Sequence, residues 1–330
     1  MKQYLLRNDH GDELTILSKG ATLARWTCVL DGAVRDLLVH YPQHSGYLTD
    51  SCYLGAVVGP YANRIANSSF SLPTAADGPG ASTKFVQLEA NEGPHHLHGG
   101  RIGLHQLLWQ AQPVGHDKLV LVTEVPDGQG GYPGPIMFRL TYQLSAPKPG
   151  LSELTVLMEA SSSQATLIGP TLHPYFNLAG ESAAVDEHQL QLSAAHYTVV
   201  DAACIPSGEL RKVQDTEFDF RQARPVGQTR LDHNFVVHGD LQQSAARLTS
   251  PDGQLTLEVC SDYPGLQVYS GDHLQHPFRP RQGICLEPQF FPDSPNQKGF
   301  PFHFTKPGQP FVAKIRYLLS RADRQANTQA

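Results

Sequence analysis

Glu287 closes the short apolar run Ile284-Cys285-Leu286 and is followed at once by Pro288-Gln289 and the stretch Phe291-Pro292-Asp293-Ser294-Pro295-Asn296. A carboxylate at the end of a buried strand is held rigidly and partly desolvated. Desolvation raises its pKa toward working pH and makes it a better proton acceptor. His173 stands in Thr171-Leu172-His173-Pro174-Tyr175-Phe176-Asn177, where Pro174 biases it toward an extended backbone at a cleft rim. Its imidazole, with an unperturbed pKa of about 6.5, can give a proton near neutral pH.

Three further clusters supply hydrogen-bonding groups. Leu97-His98-Gly99-Gly100 joins an imidazole to two glycines that would let a ligand approach the backbone closely. Asn63-Arg64-Ile65-Ala66-Asn67 carries a guanidinium whose planar fork suits vicinal hydroxyls or a carboxylate. Leu231-Asp232-His233-Asn234-Phe235 offers an acceptor for a polyol. Each also has a plain structural reading: a core histidine, a glycine turn, an ion-paired arginine, a turn aspartate. Together the clusters provide an acid, a base and sugar-sized hydrogen-bonding groups. Tyr175 and Phe291 are candidates to stack on a pyranose face.

The elements that must position these residues are strands. Ile136 to Leu144 alternates apolar and polar at period two, and similar patterns cover Leu119 to Val125, Leu151 to Glu159, Leu190 to Leu192, Leu255 to Val259, Leu266 to Tyr269 and Lys314 to Leu319. Turn signals at Asp127-Gly128, Pro133-Gly134, Pro149-Gly150, Ser207-Gly208 and Asp252-Gly253 lie too close together for crossover helices. The expected fold class is all-β, a large antiparallel β-sandwich in one domain over 1–330. Only short segments, such as Leu241 to Arg247, could be helical, while Thr74 to Ser82 reads as an insertion in a hairpin and Arg321 to Ala330 as a frayed tail.

Composition narrows the function. The chain is 40% hydrophobic and 17% charged over 330 residues, which suits a globular core. A net charge of −6 without a basic run speaks against a nucleic-acid partner. The N-terminus lacks the pattern of a signal peptide, and no apolar stretch is long enough to span a membrane. Five scattered cysteines, with no C-x-x-C pair, argue against a disulfide framework or a structural zinc site and point to the cytoplasm. The motifs of nucleophile-elbow hydrolases, zinc proteases, P-loop NTPases and dinucleotide enzymes are missing.

Taken in order, the clusters resemble the aldose 1-epimerase (galactose mutarotase) family. The resemblance runs from Asn63-Arg64-Ile65 through His98-Gly99-Gly100, Gly131-Tyr132-Pro133-Gly134, His173-Pro174-Tyr175-Phe176-Asn177-Leu178, Phe218-Asp219-Phe220-Arg221, Asp232-His233-Asn234-Phe235 and Pro264-Gly265-Leu266-Gln267 to Glu287-Pro288-Gln289 and Asn296. It implies a galactose-mutarotase-like supersandwich and a reaction needing no cofactor or metal. Glu287 would take the proton of the anomeric hydroxyl while His173 protonates the ring oxygen, and the roles reverse after the C1–C2 bond rotates. His98 would support the ring oxygen or a neighbouring hydroxyl, with Arg64, Asp232, Asn63 and Gln289 binding the sugar. The implied partner is a free monosaccharide, and the implied assembly a monomer or weak homodimer. Leu172, Pro174, Pro288, Pro60 and Leu104-His105-Gln106 depart from the family pattern, so the preferred sugar stays open. Two alternatives remain: a hexose-6-phosphate 1-epimerase, motivated by His173-Pro174-Tyr175-Phe176 and by Arg279 and Arg281, and a non-catalytic sugar-binding protein on the same scaffold.

Overall fold

Ile136 to Leu144 is the first part of a strand, Ile136–Lys148, along which every second side chain from Ile136 to Leu144 is buried. In this computed structural model, which describes residues 1–73, 82–180 and 183–322, that strand turns through Pro149-Gly150 into Leu151–Ser162, where the alternation continues. Gly150 sits at φ +73°, a left-handed turn conformation that a β-carbon disfavours. The two strands lie within a nine-stranded antiparallel sheet ordered Gln110–Val114, Lys118–Val125, Ile136–Lys148, Leu151–Ser162, Phe311–Arg321, Leu255–Ser261, Ala246–Thr249, Gln189–Leu192, Arg224–Pro225. All seven strand segments read from alternation are strands of the molecule.

A second, six-stranded antiparallel sheet carries the chemistry. Its order is Tyr175–Phe176, Ile284–Gln289, Gly265–Tyr269, Asp232–Val236, His196–Val200, Pro206–Lys212. One core joins the two large sheets: Leu140, Leu154, Val156 and Ile315 from the first meet Phe176, Leu266, Val268, Ile284 and Leu286 from the second. The Phe176 and Tyr317 rings lie 5.3 Å apart across the interface. Burying each such side chain contributes roughly 1.5–3 kcal/mol. A four-stranded N-terminal sheet, Gln3–Arg7, Glu13–Leu17, Thr22–Leu30 and Ala33–Asp36, adds Leu14, Ile16 and Trp26 to the same core. The fold is the all-β antiparallel sandwich expected, with only 3-10 turns as helices among the described residues.

Strand alternation decides which side chains reach the site. Ile284 and Leu286 point into the core, so Cys285, Glu287 and Gln289 face the other way.

Three local expectations are corrected. Leu241 to Arg247 is a turn leading into the strand Ala246–Thr249. The Gln243 backbone N–H closes a single turn on the Asp240 carbonyl, and Ala246 already pairs with Val259 in the sheet, which leaves no length for a helix. Ser207-Gly208 lies inside the strand Pro206–Lys212, where a register shift absorbs the glycine as a bulge at φ +88°. Arg321 ends the last strand, and its guanidinium pairs with the fully buried Asp12 carboxylate, so it is no part of a frayed tail. The rest of that tail from 323 onward lies outside the described residues. So does the 74–81 stretch of the expected insertion, whose flanks Ser69–Pro73 and Thr83–Gln87 do pair as a hairpin.

Candidate active site

Register builds a polar row across the outer face of the six-stranded sheet. Asn234 stands opposite Gln267, and Gln267 opposite Glu287. Tyr175 pairs with Cys285, so carrying the antiparallel register two residues further sets His173 beside Glu287. The row His173, Glu287, Gln267, Asn234 thus crosses four neighbouring chain segments. All but Asn234 line a cavity of about 220 Å³. That is below the ~300–1,000 Å³ of pockets for drug-sized ligands and of the scale of one sugar ring.

Glu287 and His173 meet in that cavity with His173 Nε2 3.6 Å from Glu287 Oε2, and their side chains are 2% and 6% exposed. Burial, and then the nearby Asp232 charge, push the Glu287 carboxyl well above its ordinary value. Burial also pushes the His173 imidazole down, to about 4. Both shifts have one cause, since two ionised groups in a dry site cost more than two neutral ones. Between those limits the pair holds a single labile proton, as carboxylic acid with imidazole or as carboxylate with imidazolium. Moving the proton exchanges the two forms. Behind the imidazole, Cys285 Sγ lies 3.5 Å from His173 Nδ1, which leaves Nε2 to face Glu287.

His98 is a donor rather than an acid. Its Nδ1 accepts the Asn63 backbone N–H at 3.1 Å, so the neutral ring carries its proton on Nε2. Burial, with His173 and Arg64 adding to it, holds its pKa well below the usual histidine value. His98 itself adopts φ +52°, and the two glycines after it serve packing, not ligand approach. A β-carbon on Gly99 would stand 1.8 Å from the Gly59 carbonyl oxygen, and one on Gly100 2.6 Å from Glu89 Oε2. That half of the expectation is corrected, whereas the imidazole does line the cavity.

The remaining predicted residues divide. Arg64 lines the cavity with Nε and Nη2 clamped by Glu92 at 2.6 and 2.9 Å, so its structural and ligand-facing readings hold together, with Nη1 outside that clamp. Asp232 lines the cavity and takes the Gln267 Nε2–H at 2.6 Å. Asn63 also lines it, with Oδ1 occupied by the Arg64 backbone N–H. Gln289 does not: it is fully buried one step beyond Glu287 and outside the cavity wall, and neither amide atom finds a hydrogen-bond partner. Phe291 likewise packs inside against Phe300 at 5.1 Å, leaving Tyr175 as the stacking candidate at the wall.

Three residues were missed. Gln267 is the one polar side chain in an otherwise apolar and aromatic strand, a signal present within Pro264-Gly265-Leu266-Gln267. Tyr269 lines the wall and accepts the His273 backbone N–H at 2.8 Å. Tyr53, at φ +56°, sets its ring 4.7 Å from His98, 4.8 Å from His105 and 6.0 Å from His173. Nothing in its local sequence marks it.

A family model described as aldose 1-epimerase matches residues 2–318. The chain is 33% identical to the aldose 1-epimerase of Escherichia coli K12, over 94% of this chain and 93% of that protein. It is 33% identical to the galactose mutarotase of Homo sapiens, over 87% and 86%. Among solved structures, an aldose epimerase homologue from C. elegans superposes with a TM-score of 0.88 at 27% identity, covering 98% of this chain and 99% of that one. The galactose 1-epimerase from Lactobacillus acidophilus gives 0.82 at 27% identity, covering 97% and 94%.

Proposed function

Because this chain belongs to the aldose 1-epimerase family, we propose that Glu287 and His173 are the proton carriers with which it interconverts the anomers of a free aldose. The protein is an isomerase, a mutarotase acting on a sugar such as glucose or galactose. What carries the assignment of roles is the 3.6 Å approach of a carboxylate and an imidazole inside a monosaccharide-sized cavity.

The reaction asks for little else. Opening a cyclic hemiacetal removes a proton from the anomeric hydroxyl and delivers one to the ring oxygen, and both oxygens sit on the same carbon. With the pair charged, Glu287 takes the first proton while His173 Nε2–H gives the second, which leaves both groups neutral and the sugar an open aldehyde. After rotation about C1–C2, His173 recovers its proton from the ring-closing hydroxyl and Glu287 returns its own to the carbonyl oxygen. The charged pair is restored and the other anomer released. Two placed groups can each supply about 10²–10⁴-fold.

Binding follows from the walls. His98 Nε2–H donates to the ring oxygen or a neighbouring hydroxyl, Asp232 accepts from hydroxyls, and Gln267 holds Asp232 in place while Arg64 and Asn63 donate. The hexose-phosphate alternative loses its cationic support here. Arg281 is committed to Asp186 and Asp272, neither it nor Arg279 lines the cavity, and Arg64 is clamped by Glu92 among the carboxylates of Asp232 and Glu287. We place the enzyme in the cytoplasm as a monomer or weak homodimer. Its five free cysteines suit a reducing compartment, and none of its described helices is long and apolar enough to cross a membrane.

Polarimetry on freshly dissolved α-D-glucose and α-D-galactose tests the activity. The purified protein is expected to accelerate the approach to the equilibrium rotation for at least one of them. Traces identical with and without protein, for both sugars and for other common aldoses, contradict it.

A further inference from the structure

Cys285 takes no part in the proton transfers above, yet its sulfur lies directly behind the imidazole that does. We propose that Cys285, His173 and Glu287 form a binding site for a thiophilic divalent cation, with Zn²⁺ the representative case, and that occupying it shuts the enzyme off. Cys285 and Glu287 are alternate residues of one strand, so they face the same way, and His173 flanks both from the neighbouring segment. The three offer a sulfur, a nitrogen and an oxygen, all within 4.8 Å of one another, a grouping of three such ligands found nowhere else among the described residues. The Sγ to Nδ1 distance is 3.5 Å. Zinc–sulfur and zinc–nitrogen bonds of about 2.3 and 2.05 Å at the tetrahedral angle give an edge of about 3.6 Å. Two corners therefore stand almost at coordination spacing.

The third ligand, Glu287, faces the Nε2 side of the ring and completes the site by shifting its side chain toward Nδ1. Glu287 Oε2 is buried and makes no hydrogen bond that would hold it where it is. His173 and Glu287 line the cavity, which gives the cation its entry path, whereas Cys285 is fully buried outside the cavity wall. On binding, the Cys285 thiol gives up its proton to solvent and becomes the thiolate ligand. A thiolate with an imidazole selects zinc and cobalt over magnesium and calcium. A cation held through Nδ1 and Sγ that draws in Glu287 takes the carboxylate lone pair that accepts the anomeric proton, so the metal and the sugar compete for Glu287. The inhibition rests on the reading of Glu287 and His173 as the proton pair; the binding does not.

The test uses the purified full-length chain, freed of metal, and titrates it with Zn²⁺ and Co²⁺ against Mg²⁺ as control. One Zn²⁺ per chain is expected to bind at this site and to be displaced by saturating glucose or galactose. Co²⁺ should add a thiolate-to-metal charge-transfer absorption. Cys285→Ser should remove that band and weaken Zn²⁺ binding at least tenfold, with Cys285→Ala as a second variant and thermal melting to check that both are folded. Equal Zn²⁺ binding by wild type and variants, or binding that saturating sugar leaves unchanged, overturns the site; the sugar competition needs no variant. Cys285-dependent Zn²⁺ binding by a protein that shows no mutarotation supports the site and instead sinks the assignment of function.

Discussion

At Glu287 the local environment, not the residue type, makes the chemistry. An exposed glutamate would be ionised and weakly basic at neutral pH, whereas burial beside Asp232 raises this one. The pair's activity should therefore follow a bell. It falls on the acid side as His173, pushed to about 4, accepts a second proton, and on the alkaline side as the raised Glu287 carboxyl loses the proton that the pair shares. Because the Asp232 charge is part of what raises Glu287, Asp232→Asn should move the alkaline limb of the kcat profile to lower pH, and raise KM through the lost acceptor. A profile whose alkaline limb is unmoved in that variant would show that Asp232 does not act on Glu287.

At the scale of elements, the site is a matter of register. Gly99 shows how tightly the loop that carries His98 is set, because its backbone is at φ +87° and lies against the Gly59 carbonyl. Gly99→Ala should cost about 1–3 kcal/mol or more, read as a lower melting temperature, and should reduce kcat/KM by displacing His98. Unchanged stability would mean that the loop can relax away from Gly59. The same scale explains what could be read beforehand. Strands such as Ile136–Lys148 were legible because alternation is local. Glu287 and His173 were legible because each stands in a distinctive apolar frame. Strand parity puts Gln289 on the same face as Glu287 but cannot tell how far the cavity extends, and the side chain lies outside the cavity wall. Gln267 and Tyr53 went unread as site residues because one is chosen by cross-strand pairing and the other by ring packing. Neither relation exists in one dimension.

Across the whole molecule, the buried histidines govern how stability depends on pH. Burial pushes His105, His173 and His188 down to about 4 and His98 well below its ordinary value. The unfolded chain takes up those protons near pH ~6.5, so it binds more protons than the folded chain from there down to about 4. Stability present above that window is lost as pH falls through it. Glu287 and Asp262, both raised by burial, act in the opposite sense, since the folded chain keeps their protons at pH values where the unfolded chain has lost them, but they are two groups against these four. Each unbalanced proton changes stability by about 1.4 kcal/mol per pH unit. Urea midpoints measured from pH 7 to 5 should therefore fall steadily, with activity at the lower end limited by folding as well as by protonation. A midpoint flat across that range would contradict the burial of neutral imidazoles.

The claim on which the rest depends is that His173 and Glu287 work as one proton-sharing unit. A double-mutant cycle on the mutarotation rate, read by polarimetry with His173→Gln, Glu287→Gln and the combined variant, tests it most directly. Each single change should remove at least about a hundredfold of the catalysed rate while leaving the fold intact by melting, and the double should be scarcely worse than either single. Losses that simply multiply, or near-wild-type turnover in either folded single variant, would contradict the account.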